Sequence, residues 1–593
     1  MASKELISGN PAAPPRQERT VAIDGIGVVA VKLRDRLVWL YEALVLLCGL
    51  NEACRRMQNG QYRHAAEMGV PDGSSRTILE FFINKVAQVY DNRPFGSTIT
   101  SLAIIQKPDK VQYIFASNQR SSEDAQSAAT TIQTLLDKMG SQNRVDVGDD
   151  DRSPVFRELL HDILLFHKQR VTLYKSRLNQ RLNQCIKELK ARSLDAGMFS
   201  IDHVNGVSSV QLFNLINHQI LASTGDPLLD ELEYLQALTQ TEVSLDDSQE
   251  FARNGEHLIS AAKAFRKSPI YESAIERARE GRFNESERWC ELQHFIGRLS
   301  SYHGAVRAII SGRRRLHPDL FENFEITWLP SSIPMNNPMD TLQAHMGVKT
   351  QQKRRSADNI IRRMMANSAD RDTTLEQAKT LQVCGLDESI MHQCQKTSFK
   401  PIVHCEILLL HYLDREYGRN RYHTPFFDDV RFIGCSKPTC RLCEYYFDAH
   451  NTDIQVRPGH KNVYSNWAIP NLFANDLAEA NERDSLLDKV VSKIREDALR
   501  ALKEKISDGK RHDSNTHSSY PTHQSLEANV QPNMEGLAFA MEDLTIIDPA
   551  DMDDFQFSSD ENRSIDAQAE ESETDEDDWA GYGLAEHSGG VSL

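Results

Sequence analysis

A long apolar run, a disulfide framework and a charge spread over the whole chain are all missing from this sequence, and each absence closes a class of protein. The most apolar stretch, Leu37 to Leu50, has 14 residues and contains Glu42. A membrane-spanning helix needs about 20 apolar residues, so this stretch reads as a buried helix and no membrane partner is expected. Ten cysteines in 593 residues are too sparse for a disulfide scaffold. The first twenty residues are polar, with prolines and charges and no apolar h-region, so no secretory signal is expected. The expected compartment is reducing, cytoplasm or nucleus, where thiols stay available as metal ligands. The net charge of -17 is local: residues 541–593 hold 17 Asp plus Glu against one Arg, which leaves residues 1–540 near -1. A nearly neutral body neither supports nor excludes nucleic-acid binding. No P-loop and no internal repeat occurs. Gly25-x-Gly27-x-x-Ala30 is a partial dinucleotide fingerprint, but no strand–helix–strand unit surrounds it.

What is present suffices for several domains and a sizeable core, since apolar residues make up 40% of the chain. The pattern divides it as follows. Residues 1–19 are Pro-rich, polar and expected to be disordered. Residues 20–93 read as a helical N-terminal region, with apolar positions three and four apart. Residues 94–120 hold two β-type runs, "STITSLAII" and "VQYIFAS", joined by a polar Pro/Asp turn, the pattern of a hairpin ending at Asn118. Residues 121–400 read as helical, including one long helix or a tight helix pair over 153–192. A basic cluster at Lys353, Arg354, Arg355, Arg362 and Arg363 reads as solvated charge, with nucleic-acid binding or nuclear targeting as the sharper alternative. Residues 401–475 read as helix (404–417), strand (430–434), helix (440–449) and strand (453–457). A charged helix is expected over 476–508 and a disordered acidic tail over 509–593.

Chemistry concentrates in "VHCEILLLHYL" and "GCSKPTCRLCEYYF", which supply His404-x-Glu406 and Pro438-x-Cys440-x-x-Cys443. One imidazole and two thiolates can hold zinc and leave a fourth position for water. The metal lowers the pKa of that water to about 7, and a nearby carboxylate that is not a ligand can shuttle the proton. His404 and Glu406, two apart at a helix start, can both reach one point in front of that helix. Cys440 and Cys443, three apart at the start of a second helix, share one face of it. Helix N-termini favour thiolates through the dipole and their free N–H groups.

These residues resemble the zinc deaminase signature, H-x-E followed by P-C-x-x-C. The chain is similar to the cytidine deaminase-like superfamily over roughly 401–470, nearest to a fungal branch related to bacterial toxin-type deaminases. The resemblance implies an α/β deaminase core, a mixed sheet flanked by helices, embedded in a predominantly α-helical protein. It implies Zn2+ on His404, Cys440 and Cys443, and Glu406 as the catalytic acid–base in hydrolytic loss of ammonia from cytosine or adenine, in a nucleic acid or a nucleotide. Two departures are visible: Thr439 separates Pro438 from Cys440, and Cys405 stands where Ala is common. The family fold opens with a hairpin just before the H-x-E helix. The best candidate here is the one at 98–117, which makes 121–400 an insertion. By the same resemblance Asn118, at its end, would contact the ribose or base.

Other readings stand beside this one. A closed structural site could use Cys435, Cys440 and Cys443 with His450 or His460, although it leaves His404 and Glu406 unexplained. The whole chain could be a zinc-stabilised, catalytically idle interaction scaffold that binds proteins through its helical region and acidic tail. Cys405 and Cys435 read as buried small residues, His411 and His423 as surface or core histidines, and Trp467 as core. Tyr445, Tyr446 and Phe447 read as helix packing. Arg441, Arg457 and Lys461 are phosphate contacts or solvated charges.

Overall fold

The computed structural model describes residues 20–23, 27–57, 75–144, 151, 153–201, 226–240, 247–279, 283–344, 348–366, 368–418, 424–470 and 477–507. The expected disordered segments 1–19 and 509–593, together with Gly25 and His423, lie outside them. The described chain is mostly helical around a small mixed sheet. The sheet contains β3 (Thr100–Gln106), β4 (Val111–Ser117), β5 (Phe324–Trp328), β6 (Phe432–Cys435) and β7 (Gln455–Val456), in the order β5-β4-β3-β6-β7. β3 runs antiparallel to both β4 and β6, while β4–β5 and β6–β7 are parallel pairs.

Both faces of the central strands are apolar because helices cover both. Ala103, Ile105, Ile114, Ala116, Ile433 and Cys435 face one core. Leu102, Ile104, Tyr113, Phe115 and Phe432 face the other. The first core is closed by the helices Val31–Met57, Leu386–Gln395, Cys405–Tyr417, Arg441–His450 and Leu477–Glu504. The second is closed by Ser75–Tyr90, Ser122–Gly140, Pro154–Phe166, Lys168–Ile201, Pro227–Gln240, Ser248–Lys267, Ile270–Arg279 and Phe283–Arg315. Several of these helices start on side-chain caps: Ser121 accepts from Asp124 N, Ser153 from Phe156 N, and Asp247 from Gln249 N and Glu250 N.

Among the described residues, Val31–Met57 is the helix long and apolar enough to cross a bilayer, and it is mostly buried against protein. Its buried Glu42 explains the basic cluster. The Nε atoms of Arg354 and Arg363 donate to the Glu42 carboxylate at 2.7 and 3.0 Å. Arg355 pairs with Asp340 and Arg362 with Asp358. Arg354 and Arg363 are therefore not the solvated charges expected: they lie on the helices Val348–Arg354 and Ala357–Met364 and serve a buried acid in the core helix.

Other boundaries differ from expectation for local reasons. The N-terminal region opens with an antiparallel hairpin, β1 (Thr20–Ile23) and β2 (Gly27–Ala30), before its helices. The 153–192 run is a helix pair broken at His167. That ring is buried, donates through Nε2 to Val89 O at 2.8 Å and accepts from Tyr302 Oη at Nδ1. The 121–400 region is not wholly helical, since "FEITW" forms β5 and extends the sheet from β4. Gly434 sits where the Ser75 helix crosses β6, and a Cβ there would lie 2.5 Å from Ile83 Cγ2. A glycine is what lets the helix approach this closely.

Candidate active site

His404 and Cys440 occupy equivalent positions. Each is the residue immediately before a helix, with extended backbone angles (φ -67°, ψ 150° and φ -76°, ψ 160°). The two helix N-termini therefore converge, and Cys443 lies in the first turn of the second helix. His404 Nδ1 is 3.5 Å from Cys440 Sγ and 3.4 Å from Cys443 Sγ. The three donor atoms all lie within 4.8 Å of one another. In a tetrahedral zinc site the N–S edge is about 3.6 Å, given Zn–N and Zn–S bonds of about 2.05 and 2.3 Å. The donor set and its spacing fit that ion.

Local pairing holds the first turn in place. Ile402 N donates to Asn466 O at 3.1 Å and Ala468 N to Ile402 O at 2.8 Å, so the approach to His404 runs as a short parallel bridge beside Trp467. Val403 N donates to Ser332 Oγ, and Cys405 N to Asn118 Oδ1, both at 2.9 Å. The second turn is fixed by His460 N donating to Thr439 O and Arg441 N donating to Asn462 O. Gly459 is required there, because a Cβ would come to 2.5 Å from Thr439 O.

Glu406 is buried beside the three donors, with Oε2 at 4.0 Å from Cys443 Sγ and 3.3 Å from the Cys405 thiol, which donates to it. Ser101 Oγ donates to Cys405 Sγ at 3.1 Å, and Cys405, Glu406 and Cys435 form a second close group. Burial, then the Cys440 thiolate, push the Glu406 carboxyl above the usual carboxylate range. Burial opposes a charge on His404, yet Cys440 beside it holds the imidazole above its ordinary value. Burial also opposes ionisation of Cys440, but Cys443 and His404 outweigh it and hold this thiol well below its usual range. Cys443 is pushed the other way by burial and by Cys440. A divalent cation is the natural means of letting both sulfurs ionise.

The other expected positions sort clearly. Asn118 directly follows β4, which lies in the same sheet as β6, and touches the N-terminus of the Cys405 helix through its amide oxygen. Cys435 groups with Cys405 and Glu406, while His450 meets Asp414 at 2.8 Å and His460 Nδ1 accepts from Asn462 N. The closed four-ligand alternative is therefore not assembled. Arg441 pairs with Asp497, Lys461 with Glu444, and Arg457 donates to the carbonyls of Cys435 and Ser436. Trp467, Tyr446 and Phe447 are buried packing. Ser332, Asn466 and Ser101 support the site without any signal in the sequence. Cys405 was visible, but only as a small buried residue, not as a donor to Glu406.

Residues 403–471, which span His404, Glu406, Cys440 and Cys443, match the family model described as OTT_1508_deam-like deaminase. Over these residues the chain is similar to that deaminase family. No curated protein and no solved structure matches the chain.

Proposed function

We propose that this protein is a zinc-dependent hydrolytic deaminase acting on a cytosine or adenine ring in a nucleic acid or nucleotide. The observation that carries the reading is the convergence of one imidazole and two thiols at two helix N-termini, with a buried carboxylate beside them that is not one of the three donors. His404 Nδ1 and the sulfurs of Cys440 and Cys443 would hold zinc. When bound, zinc supplies the Lewis acidity that makes water nucleophilic near neutral pH. Glu406 accepts the first proton of the attacking water at Oε2 and delivers it to the ring nitrogen; it then takes the second proton from the hydroxyl now on the ring carbon and passes it to the departing amine, which leaves as ammonia while the C=O bond forms. Its raised pKa suits a group that must hold a proton between those steps. The Cys405 thiol fixes Oε2 on the side facing Cys443. Asn118 holds the Cys405 turn with Oδ1 and is proposed to reach the ribose or base with Nδ2, whose contact with Gly96 O is long at 3.5 Å. A polymeric substrate would have to present the base unpaired or flipped out.

We further propose a reducing compartment, cytoplasm or nucleus, on the sparse cysteines, and the helical region and the acidic tail as surfaces for other proteins. The test is ammonia release from RNA, single-stranded DNA and free nucleosides, with zinc measured on the same preparations. Glu406→Gln should retain zinc and lose activity by at least about 10²-fold, whereas Cys440→Ser should lose the metal. Undiminished turnover in Glu406→Gln overturns the mechanism. A zinc-loaded chain inactive on every substrate class would favour the scaffold reading instead.

A further inference from the structure

Beside the His404 cluster lies a second buried group of donors that hydrolysis uses only in part. Cys405 Sγ, a Glu406 carboxylate oxygen and Cys435 Sγ all lie within 4.8 Å of one another. Cys405 opens the helix Cys405–Tyr417, and Cys435 closes β6. Their thiols meet on one side of the sheet, where Ser101, the register partner of Cys435 on β3, donates from Oγ to Cys405 Sγ at 3.1 Å. Both cysteine backbones are held from outside the group. Asn118 Oδ1 accepts from Cys405 N and Asn84 Oδ1 from Cys435 N, both at 2.9 Å, while Arg457 donates to Cys435 O at 3.1 Å. Cys405 and Cys435 are fully buried, and Glu406 nearly so.

The spacing of this group resembles that of the first. With Zn–S and Zn–O bonds of about 2.3 and 2.1 Å, a tetrahedral site has an S–O edge of about 3.6 Å. Cys405 Sγ and Glu406 Oε2 stand 3.3 Å apart, close to that edge, as the His404 distances are to theirs. Two thiolates and a carboxylate are zinc ligands, and the soft sulfurs disfavour magnesium and calcium. Ser101 Oγ or a water would complete four ligands. Because both backbones are already fixed, little reorganisation is needed when an ion enters. Glu406 faces both groups, since the same Oε2 lies 4.0 Å from Cys443 Sγ.

We propose that Cys405, Glu406 and Cys435 form a second zinc site that fills when free zinc is in excess and takes Glu406 away from proton transfer. It binds more weakly than the first because the ion enters beside a dication already held. Each thiol gives up its proton to solvent as the ion binds. With an ion on Oε2, the lone pair that must accept the water proton is occupied, so hydrolysis stops while the first zinc stays in place. The inhibitory role rests on the deaminase reading; the metal site itself does not.

The full chain, carrying one zinc, is equilibrated in buffers of rising free zinc. Bound metal, zinc X-ray absorption and ammonia release are read on the same samples. The expected result is a second equivalent that saturates, an average sulfur coordination that stays at about two per zinc, and deamination that falls in step. Cys405→Ala and Cys435→Ala should keep the first zinc and bind the second at least about tenfold more weakly, since losing even a partner of a ligand costs about 10–100-fold. Saturation at one equivalent overturns the proposal, as does undiminished second affinity in both variants. An average that falls toward about one sulfur per zinc places the second ion elsewhere and also overturns it; that wild-type spectrum decides alone should the variants fail to fold. Metal count and spectrum are read whether or not the chain deaminates. A filled second site on a chain inactive at every zinc level supports the site and counts against the deaminase reading, whereas unchanged turnover at two equivalents overturns the inhibitory role.

Discussion

The Cys405 side chain does two things that a small apolar residue could not do together. It fills a fully buried position in the core and donates to Glu406 Oε2 at 3.3 Å. Cys405→Ala keeps most of the volume and removes the donor. If the deaminase reading holds, kcat should fall by about tenfold, the worth of one hydrogen bond to a charged group, with zinc content and KM little changed. A steady-state comparison on the best substrate checks this, and an unchanged kcat would show that the thiol does not position the carboxylate. At this scale the sequence was informative about chemistry and silent about support. His404, Glu406, Cys440 and Cys443 were legible because ligand type and order are written along the chain. Ser332 and Asn466 were not, because a serine or a backbone carbonyl that fixes a distant turn carries no mark of its partner.

Two contacts between elements set how the helices meet. Gly434 lets the Ser75 helix lie directly on β6, where Asn84 Oδ1 also accepts from Cys435 N at 2.9 Å. Gly434→Ala would press a methyl group on Ile83 and Asn84, and overpacking of this kind costs about 1–3 kcal/mol. Because β6 leads into the Cys440 turn, zinc affinity should weaken with stability. Urea unfolding with a parallel zinc titration measures both. Glu42 is the second contact. Glu42→Ala leaves Arg354 and Arg363 without their shared acid; breaking a fully buried pair costs about 3–5 kcal/mol. Both arginines are partly exposed, so a loss of about 2 kcal/mol is expected by the same measurement. Helix existence was readable from three- and four-residue periodicity, whereas β5 was not. "FEITW" does alternate apolar and polar residues, but over only five positions set among helical neighbours, and it becomes a strand because β4 offers it a free edge.

For the molecule as a whole, the buried Lys85 has a pH signature. The ordinary pKa of Lys85 is 10.5, and folding lowers it to about 7. Between those values the unfolded chain binds more protons than the folded one, so stability rises with pH through that window. Below about 7 both states are protonated and the contribution sits at its unfavourable limit. The gain in unfolding free energy from pH 7 to pH 9 should therefore be larger for the parent chain than for Lys85→Met. Parallel pH profiles for the two proteins would remove Lys85 as the source.

The sequence alone determined what is local or compositional: helix periods, the β-type runs around 98–117, the acidity of the last segment, and the order and type of the candidate metal ligands. The tertiary structure decided what depends on partners far along the chain. It placed the hairpin at 100–117 next to a strand more than 300 residues later, turned the Asn118 amide onto the Cys405 helix and gave Glu42 its arginines. The physical reason is the range of the forces involved. Periodicity and turn chemistry act within a few residues, but strand pairing, ion pairing in the core and ligand convergence depend on which surfaces the chain brings together when it buries its apolar faces on both sides of one sheet.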